Sequence, residues 1–218
     1  SQVSRLNQYG YLDRPDPELL HVLNTSVQLS EQTGGAFDIT VQPLWQLYSS
    51  STQEGGLPSP EAISAARAKT GWQRIEITDT TVRLLGEGTQ ITLNGIAQGY
   101  AADAACSALR EHGIEHALID SGEIGSYGSK SGERDWTIGI RHPRKQGDLL
   151  GLAGFQDRCL ATSGDYETSF SDDFASNHLF DPRTGQSPLE SASVSVVAGT
   201  ATEADALSTA AFILGPDT

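Results

Sequence analysis

The chain has 218 residues, enough for one large domain or two small ones with a sizeable core. Its formal net charge of −14 argues against a nucleic-acid backbone as partner, because phosphates need a basic patch, while a phosphate-bearing small ligand needs only a local site or a metal. No run approaches the about 18 apolar residues of a membrane span, and two cysteines, Cys106 and Cys159, without short spacing exclude a thiolate zinc site and a disulfide-rich scaffold.

Asp16-Pro17-Glu18 opens a helix, with a cap, a proline at the first helical position and an acid in the first turn. Leu19, Leu20, Leu23 and Val27 recur at helical spacing, and Gly34-Gly35 ends the run. Pro43 to Tyr48 reads as a short helix, Ser49 to Pro58 as a polar, mobile loop, and Ser59-Pro60-Glu61 as a further helix start closed by Gly71. Strand alternation follows at Ile75/Ile77, Val82 to Leu84 and Ile91 to Leu93. A helix runs from about Ile96 to His112, with Cys106 as a small buried hydrophobe on it. Ala117 to Ile119 is a short strand, Trp136 to Ile140 and Gly151 to Phe155 read as a pair, and Ser193 to Val197 is another strand. Ala201 to Leu214 is the last helix. No repeat and no clean domain boundary is visible, and the irregular mixture predicts an α+β fold. The start at Ser1 without a signal-like segment, and the stop at Thr218 just after a strong helix, lead us to expect that both ends of the natural domain are missing.

Several segments carry chemistry-bearing side chains. His178-Leu179-Phe180-Asp181-Pro182-Arg183-Thr184-Gly185 puts an imidazole, a carboxylate and a guanidinium on a tight turn, set by the residue before proline and by Gly185. Such a turn suits a base or a phosphate contact, and equally a surface turn with a solvated Arg–Asp pair. Thr33 to Asp38 reads first as a helix C-cap followed by a core Phe, with close backbone approach to a ligand as the second reading. Leu93 to Tyr100 passes from strand to helix, so free N–H groups and the positive helix end would face whatever sits above the strand. Tight strand–helix packing at Gly95 and Gly99 is the competing reading. This segment has neither the spacing of a dinucleotide fingerprint nor the lysine of a P-loop. Asp120 to Gly125 reads as a polar turn. Ser163, after an apolar strand, lacks the elbow of a serine nucleophile. Asp205 and Thr209 stack on one face of a helix otherwise made of Ala, Leu, Phe and Ile. A carboxylate there is costly unless paired or bound to a cation, and carboxylate plus hydroxyl oxygens suit Mg²⁺. An acid favouring the helix dipole is the simpler alternative.

In this order the motifs resemble the ApbE family of FAD:protein FMN transferases. The family's T-x-G-A-F-D, D-L-G-G-I-A-K-G-Y-A-x-D, G-G-E, A-T-S-G-D-Y, H-x-x-D-P-x-T-G and A-D-A-L-A-T-A are matched by Thr33 to Asp38, Thr92 to Asp103, Gly122-Glu123, Ala161 to Tyr166, His178 to Gly185 and Ala204 to Ala210. Ser1 to Asn7 is similar to the family's S-E-I-S-R-L-N, so the likeness spans nearly the whole chain.

The resemblance implies a single ApbE-like domain over 1–218, with mixed strands and helices around an FAD cleft. It implies an enzyme that splits FAD at its pyrophosphate, places FMN on a Thr or Ser hydroxyl of a target flavoprotein and releases AMP, with Mg²⁺ as the usual metal. Carried over, Asp205 and Thr209 match side-chain metal ligands and Gly95 a carbonyl ligand, while Ala36, Phe37 and Asp38 match flavin-binding positions. His178 matches the residue that helps deprotonate the acceptor hydroxyl, and Phe180 lies where the loop contacts FAD. The implied partners are FAD and an acceptor protein with an FMN-binding domain; the implied location is the periplasm or cell envelope, with membrane contact only through an anchor or a membrane-bound acceptor. Two alternatives share the site, a Mg²⁺-dependent FAD pyrophosphatase giving FMN and AMP, and a non-catalytic FAD-binding protein.

The chain departs from the family pattern at Thr92, Asn94 and Gln98, which stand for Asp, Gly and Lys. Gln98 keeps a hydrogen-bond donor and loses a charge, which bears on FAD binding. The L-N-G-I-A-Q-G-Y version resembles the branch that accompanies nitrous-oxide respiration. The family's further FAD contacts, including an aromatic, lie upstream of the segment matched by Ser1 to Asn7.

Overall fold

The computed structural model describes residues 1–216 and resolves into two compact units built from interleaved segments. Asp217 and Thr218, where the expected C-terminal cut falls, lie outside the described residues. The first unit comprises Ser1–Leu93, Asp165–Ser191 and the chain from Ile213; the second comprises Asn94–Gly164 and Ala192–Phe212. No linker marks the division, because each unit is completed by chain that returns to it. That is why composition gave no boundary.

In the first unit, α1 (Gln2–Tyr9) leads into β1 (Tyr11–Asp13) and α2 (Pro17–Gln32). The Asp16 side chain accepts the Glu18 N–H at 2.9 Å, and Gly34 and Gly35 take positive φ just after the helix, as the sequence predicts. A 3-10 turn (Ile39–Val41) precedes α3 (Gln42–Gln53) and α4 (Pro60–Arg67), and β2 (Ile75–Ile77) and β3 (Thr81–Leu84) follow. The three strands form an antiparallel sheet in the order β1-β3-β2. The core cluster of Leu44, Tyr48, Ala66 and Phe180 draws on α3, α4 and a late loop.

Two expectations fail here. Part of the predicted loop from Ser49 is the end of α3: Ser50 Oγ donates to the carbonyls of Gln46 and Leu47, and Thr52 Oγ1 to that of Tyr48, so polar side chains support the helix. Ile91 to Leu93 is not a strand. Its backbone is held by a side chain and a turn instead: Asn7 brackets Ile91 through Nδ2 and Oδ1, both at 2.8 Å, and Thr92 N–H donates to the Ile39 carbonyl.

The second unit contains α5 (Ala97–Glu111), β4 (Ala117–Asp120), β5 (Ile124–Tyr127), β6 (Trp136–Arg141), β7 (Leu149–Phe155), β8 (Cys159–Gly164), β9 (Ser193–Ala198) and, up to Phe212, α6 (Ala201–Leu214). Strands β4-β5-β8-β9 form an antiparallel sheet on which α5 packs, and β6 and β7 pair as a separate ribbon, as their alternation predicts. Ala102 of α5, Cys159 of β8 and Ala201 of α6 pack together in its core. The fold is α+β. Among the described residues no helix is long and apolar enough to cross a membrane.

Candidate functional site

The predicted site residues divide into two sets, one in each unit. In the first unit the 178–185 segment is a tight turn. Asp181 N–H donates to the Gln186 carbonyl, and the Gly185 N–H returns to the Asp181 carbonyl at 2.7 Å. The Asp181 carboxylate accepts the Arg183 backbone N–H and both ends of its guanidinium fork, which raises the Arg183 pKa. Gly185 has φ 75°, and a Cβ there would meet Ile63 at 2.8 Å, so only glycine fits. The turn is anchored from below. Phe180 is 2% exposed and packs 4.9 Å from the Tyr48 ring, and Tyr48 donates to the Gly185 carbonyl. Phe180 is therefore a core residue that holds the turn from below.

His178 is half-buried. Its backbone N–H and its Nδ1 both face the Thr168 carbonyl, at 3.0 and 3.1 Å. A carbonyl only accepts, so Nδ1 carries the proton and Nε2 the lone pair. Burial lowers the His178 pKa, outweighing the Thr168 hydrogen bond and the negative charges of Glu167 and Asp165. The ring is thus neutral at pH 7 with one defined basic nitrogen. Asn177, which the sequence did not single out, sets this ring's backbone. Fully buried, it donates to the Phe174 carbonyl and accepts the Leu179 N–H.

Ala36, Phe37 and Asp38 are all buried. Asp38 accepts from Thr40 N, Thr40 Oγ1 and Trp72 N at 2.8, 2.6 and 2.9 Å, while burial raises its pKa. Its carboxylate caps the 3-10 turn and fixes the Trp72 segment. Thr33 is the C-cap residue of α2 and Phe37 is buried, the local structure that the C-cap and core-Phe reading of this segment expects. A cavity of about 400 Å³ lies alongside, lined by Gly35, Asp38, Arg67, Trp72, Arg74 and Arg183 among others. It brings the Thr33 to Asp38 motif and the His178 turn to one surface. Thr92 is half-buried beside the 3-10 turn.

In the second unit Gly95 lies in the turn before α5, and Gln98 is exposed in its first helical turn. Gly122, at the β4–β5 turn with φ 103°, leaves room for the Gln98 amide, which a Cβ would strike. Helices α5 and α6 interlock. The Gly99 N–H donates to Asp205 Oδ2 at 3.0 Å. Reciprocally, Asp103 accepts the N–H groups of Ala201 and Thr202 at 2.8 Å each and the Thr202 hydroxyl at 2.6 Å, capping α6. A Cβ on Gly99 would collide with the Ala201 carbonyl and come within 2.8 Å of Asp205 Cβ. Gly95, Gln98, Asp205 and Thr209 thus share one unit, and the Gly99–Asp205 bond joins the start of α5 to α6.

Asp205 is 4% exposed, and burial pushes its pKa up to about 7, against the stabilising Gly99 N–H. Thr209 stands one helical turn further on, with its hydroxyl 3.2 Å from Ser163 Oγ of β8. Among the described residues no three His, Cys, Asp or Glu side chains cluster as a metal cage. The donors on offer are one carboxylate, one hydroxyl and backbone carbonyls. They fit a hard cation that keeps several waters, and a carboxylate this costly to ionise gains most from such a partner.

The ApbE family model matches residues 1–218. The chain is 31% identical to a Treponema pallidum FAD:protein FMN transferase over 92% of its own length and 60% of that protein's, so it spans about three fifths of that curated relative. The crystal structure of the ApbE protein from Thermotoga maritima superposes with a TM-score of 0.92 at 32% identity, covering 100% of this chain and 72% of that one. The apo flavinyl transferase ApbE of Pseudomonas stutzeri superposes at 0.83 with 35% identity, covering 100% and 70%.

Proposed function

The chain belongs to the ApbE family, and from that membership we propose that it transfers the FMN moiety of FAD to a Thr or Ser hydroxyl of a target flavoprotein, with Mg²⁺ and with release of AMP. The observation that carries the reading is His178, neutral and with its tautomer set by the Thr168 carbonyl. A hydroxyl is a weak nucleophile at neutral pH and needs a base of this kind. His178 Nε2 takes the acceptor hydroxyl proton as the oxygen attacks the FMN phosphorus; the bond from that phosphorus to the bridging oxygen breaks, and AMP leaves with that oxygen. The Phe180 anchor and the Asp181–Arg183 pair keep the base on a rigid turn. Asp205 and Thr209, with the Gly95 carbonyl, would hold Mg²⁺. The cation supplies charge neutralisation at the pyrophosphate. Asp205 would hold it as the carboxylate, so metal uptake would release a proton where the group starts protonated.

The test combines the full chain with FAD, Mg²⁺ and an acceptor FMN domain bearing a threonine. Mass spectrometry should find Mg²⁺-dependent covalent FMN on the acceptor and stoichiometric AMP. AMP and free FMN without labelling would mean the pyrophosphatase alternative, and bound FAD with neither product a binding protein. The reading extends to the periplasm or cell envelope, where cell fractionation should find the activity; activity confined to the cytosol would refute that part.

A further inference from the structure

Ser163, at the end of β8, has no part in the chemistry above, yet its hydroxyl sits in a line of four oxygens. Ser208 Oγ donates to the Asp205 backbone carbonyl at 2.9 Å. Ser163 Oγ lies 2.7 Å from Ser208 Oγ, and Thr209 Oγ1 lies 3.2 Å from Ser163 Oγ. The β8–β9 register, with Ser163 opposite Val194, fixes the strand that presents it. A carbonyl only accepts, and each hydroxyl has one proton to give. The direction of the whole line follows. Ser208 gives its proton to the Asp205 carbonyl, so Ser163 must donate to Ser208, and Thr209 must donate to Ser163. Thr209 Oγ1 is left with its proton turned toward Ser163 and its lone pairs turned away from it.

We propose that Ser163 is a positioning residue for the α6 cation: by accepting the Thr209 proton it presents the threonine's lone pairs to the metal. The proposal rests on the reading of Asp205 and Thr209 as Mg²⁺ ligands. A hydroxyl that ligates a cation becomes a stronger donor, and Ser163 supplies the acceptor that a ligand's remaining proton needs. The line also ends on the backbone of Asp205, so one hydrogen-bond chain couples both ligand residues. A purely structural role, tying β8 to α6, predicts lost stability with unchanged metal affinity.

The experiment titrates Mn²⁺ into the full chain and follows free Mn²⁺ by EPR, for the parent, Ser163→Ala, Ser163→Thr and Asp205→Asn. Thermal unfolding in EDTA is measured alongside. Ser163→Ala should bind Mn²⁺ about tenfold more weakly, at the low end of the effect of losing an outer partner. Ser163→Thr, which keeps the oxygen, should bind within about twofold of the parent, and Asp205→Asn should lose binding. If Ser163→Ala binds like the parent while Asp205→Asn has lost the ion, the positioning role is wrong and the metal site stands. If Ser163→Thr is as weak as Ser163→Ala, the hydroxyl is not what matters and the proposal also fails. If Asp205→Asn binds like the parent, the cation is not on α6, and both readings fall. Should Ser163→Ala not fold, Ser163→Cys takes its place, because a thiol is a poor acceptor of similar size and should weaken binding in the same way.

Discussion

His178 and Phe180 stand two residues apart and differ in what they expose, and that difference separates chemistry from support. Burial holds the His178 pKa below 6.5, so its basic form persists into mildly acidic solution. Transfer should therefore decline on an acid limb whose midpoint lies below pH 6.5 and which His178→Ala removes. His178→Ala should slow transfer by about 10²–10⁴-fold. A limb centred above 6.5, or a His178→Ala enzyme of parental rate, would show that another group is the base. For Phe180 the expectation is opposite. Its ring packs against both Tyr48 and Phe170, so Phe180→Ala should cost about 3–5 kcal/mol of stability in FAD-free protein. Denaturant unfolding without FAD checks this; unchanged stability with weakened FAD binding would make Phe180 a ligand contact instead of an anchor.

Among the elements, the α5–α6 crossing depends most on a single residue type. Gly99→Ala would push a methyl into the Ala201 carbonyl, which is backbone and cannot move aside cheaply. The expected cost is about 1–3 kcal/mol, a Tm lower by roughly 3–10 °C, together with weaker Mn²⁺ binding because Asp205 loses its fixed partner. A Gly99→Ala protein with parental Tm would mean that the helices separate freely there. The sequence exposed this level well where local rules decide. Asp16-Pro17, Gly34-Gly35 and the alternation in β6 and β7 each announce their element through capping, positive φ or period. It misled where the partner is remote. Ile91 to Leu93 alternates like a strand, yet Asn7 takes the Ile91 backbone bonds, and no local pattern names a partner so far away. Ser50 and Thr52 look like loop residues, yet their hydroxyls bond back into α3. At the candidate site the motifs singled out His178, Asp205 and Thr209, while the tautomer of His178 and the hold of Asp38 on the Trp72 segment depend on Thr168 and Trp72, which only folding brings near.

For the whole molecule, Asp205 links stability to pH and, on the proposed Mg²⁺ reading, to metal. Its folded-state pKa of about 7 lies above the ordinary 3.8 of the unfolded chain. A raised acid favours the fold at low pH, and that contribution is lost as pH rises from about 4 through about 7. The full difference is on the order of 4 kcal/mol. In EDTA the parent should therefore lose stability over that interval relative to Asp205→Asn, and Mg²⁺ at pH 8 should restore much of the loss. Parallel pH profiles for parent and variant would show that Asp205 ionises as easily folded as unfolded.

The interleaving of the two units also has a consequence for biosynthesis. Tyr48 waits for Gly185, 137 positions later, before its hydroxyl has an acceptor, and Phe180 arrives with it. At typical translation speeds that is a delay on the order of ten seconds. During it the aromatic side of α3 lacks Phe180 while the second unit's strands are still being made. A nascent chain of this design is exposed to chaperones midway through elongation, and a ribosome stalled between Leu93 and Asp165 would hold neither unit complete.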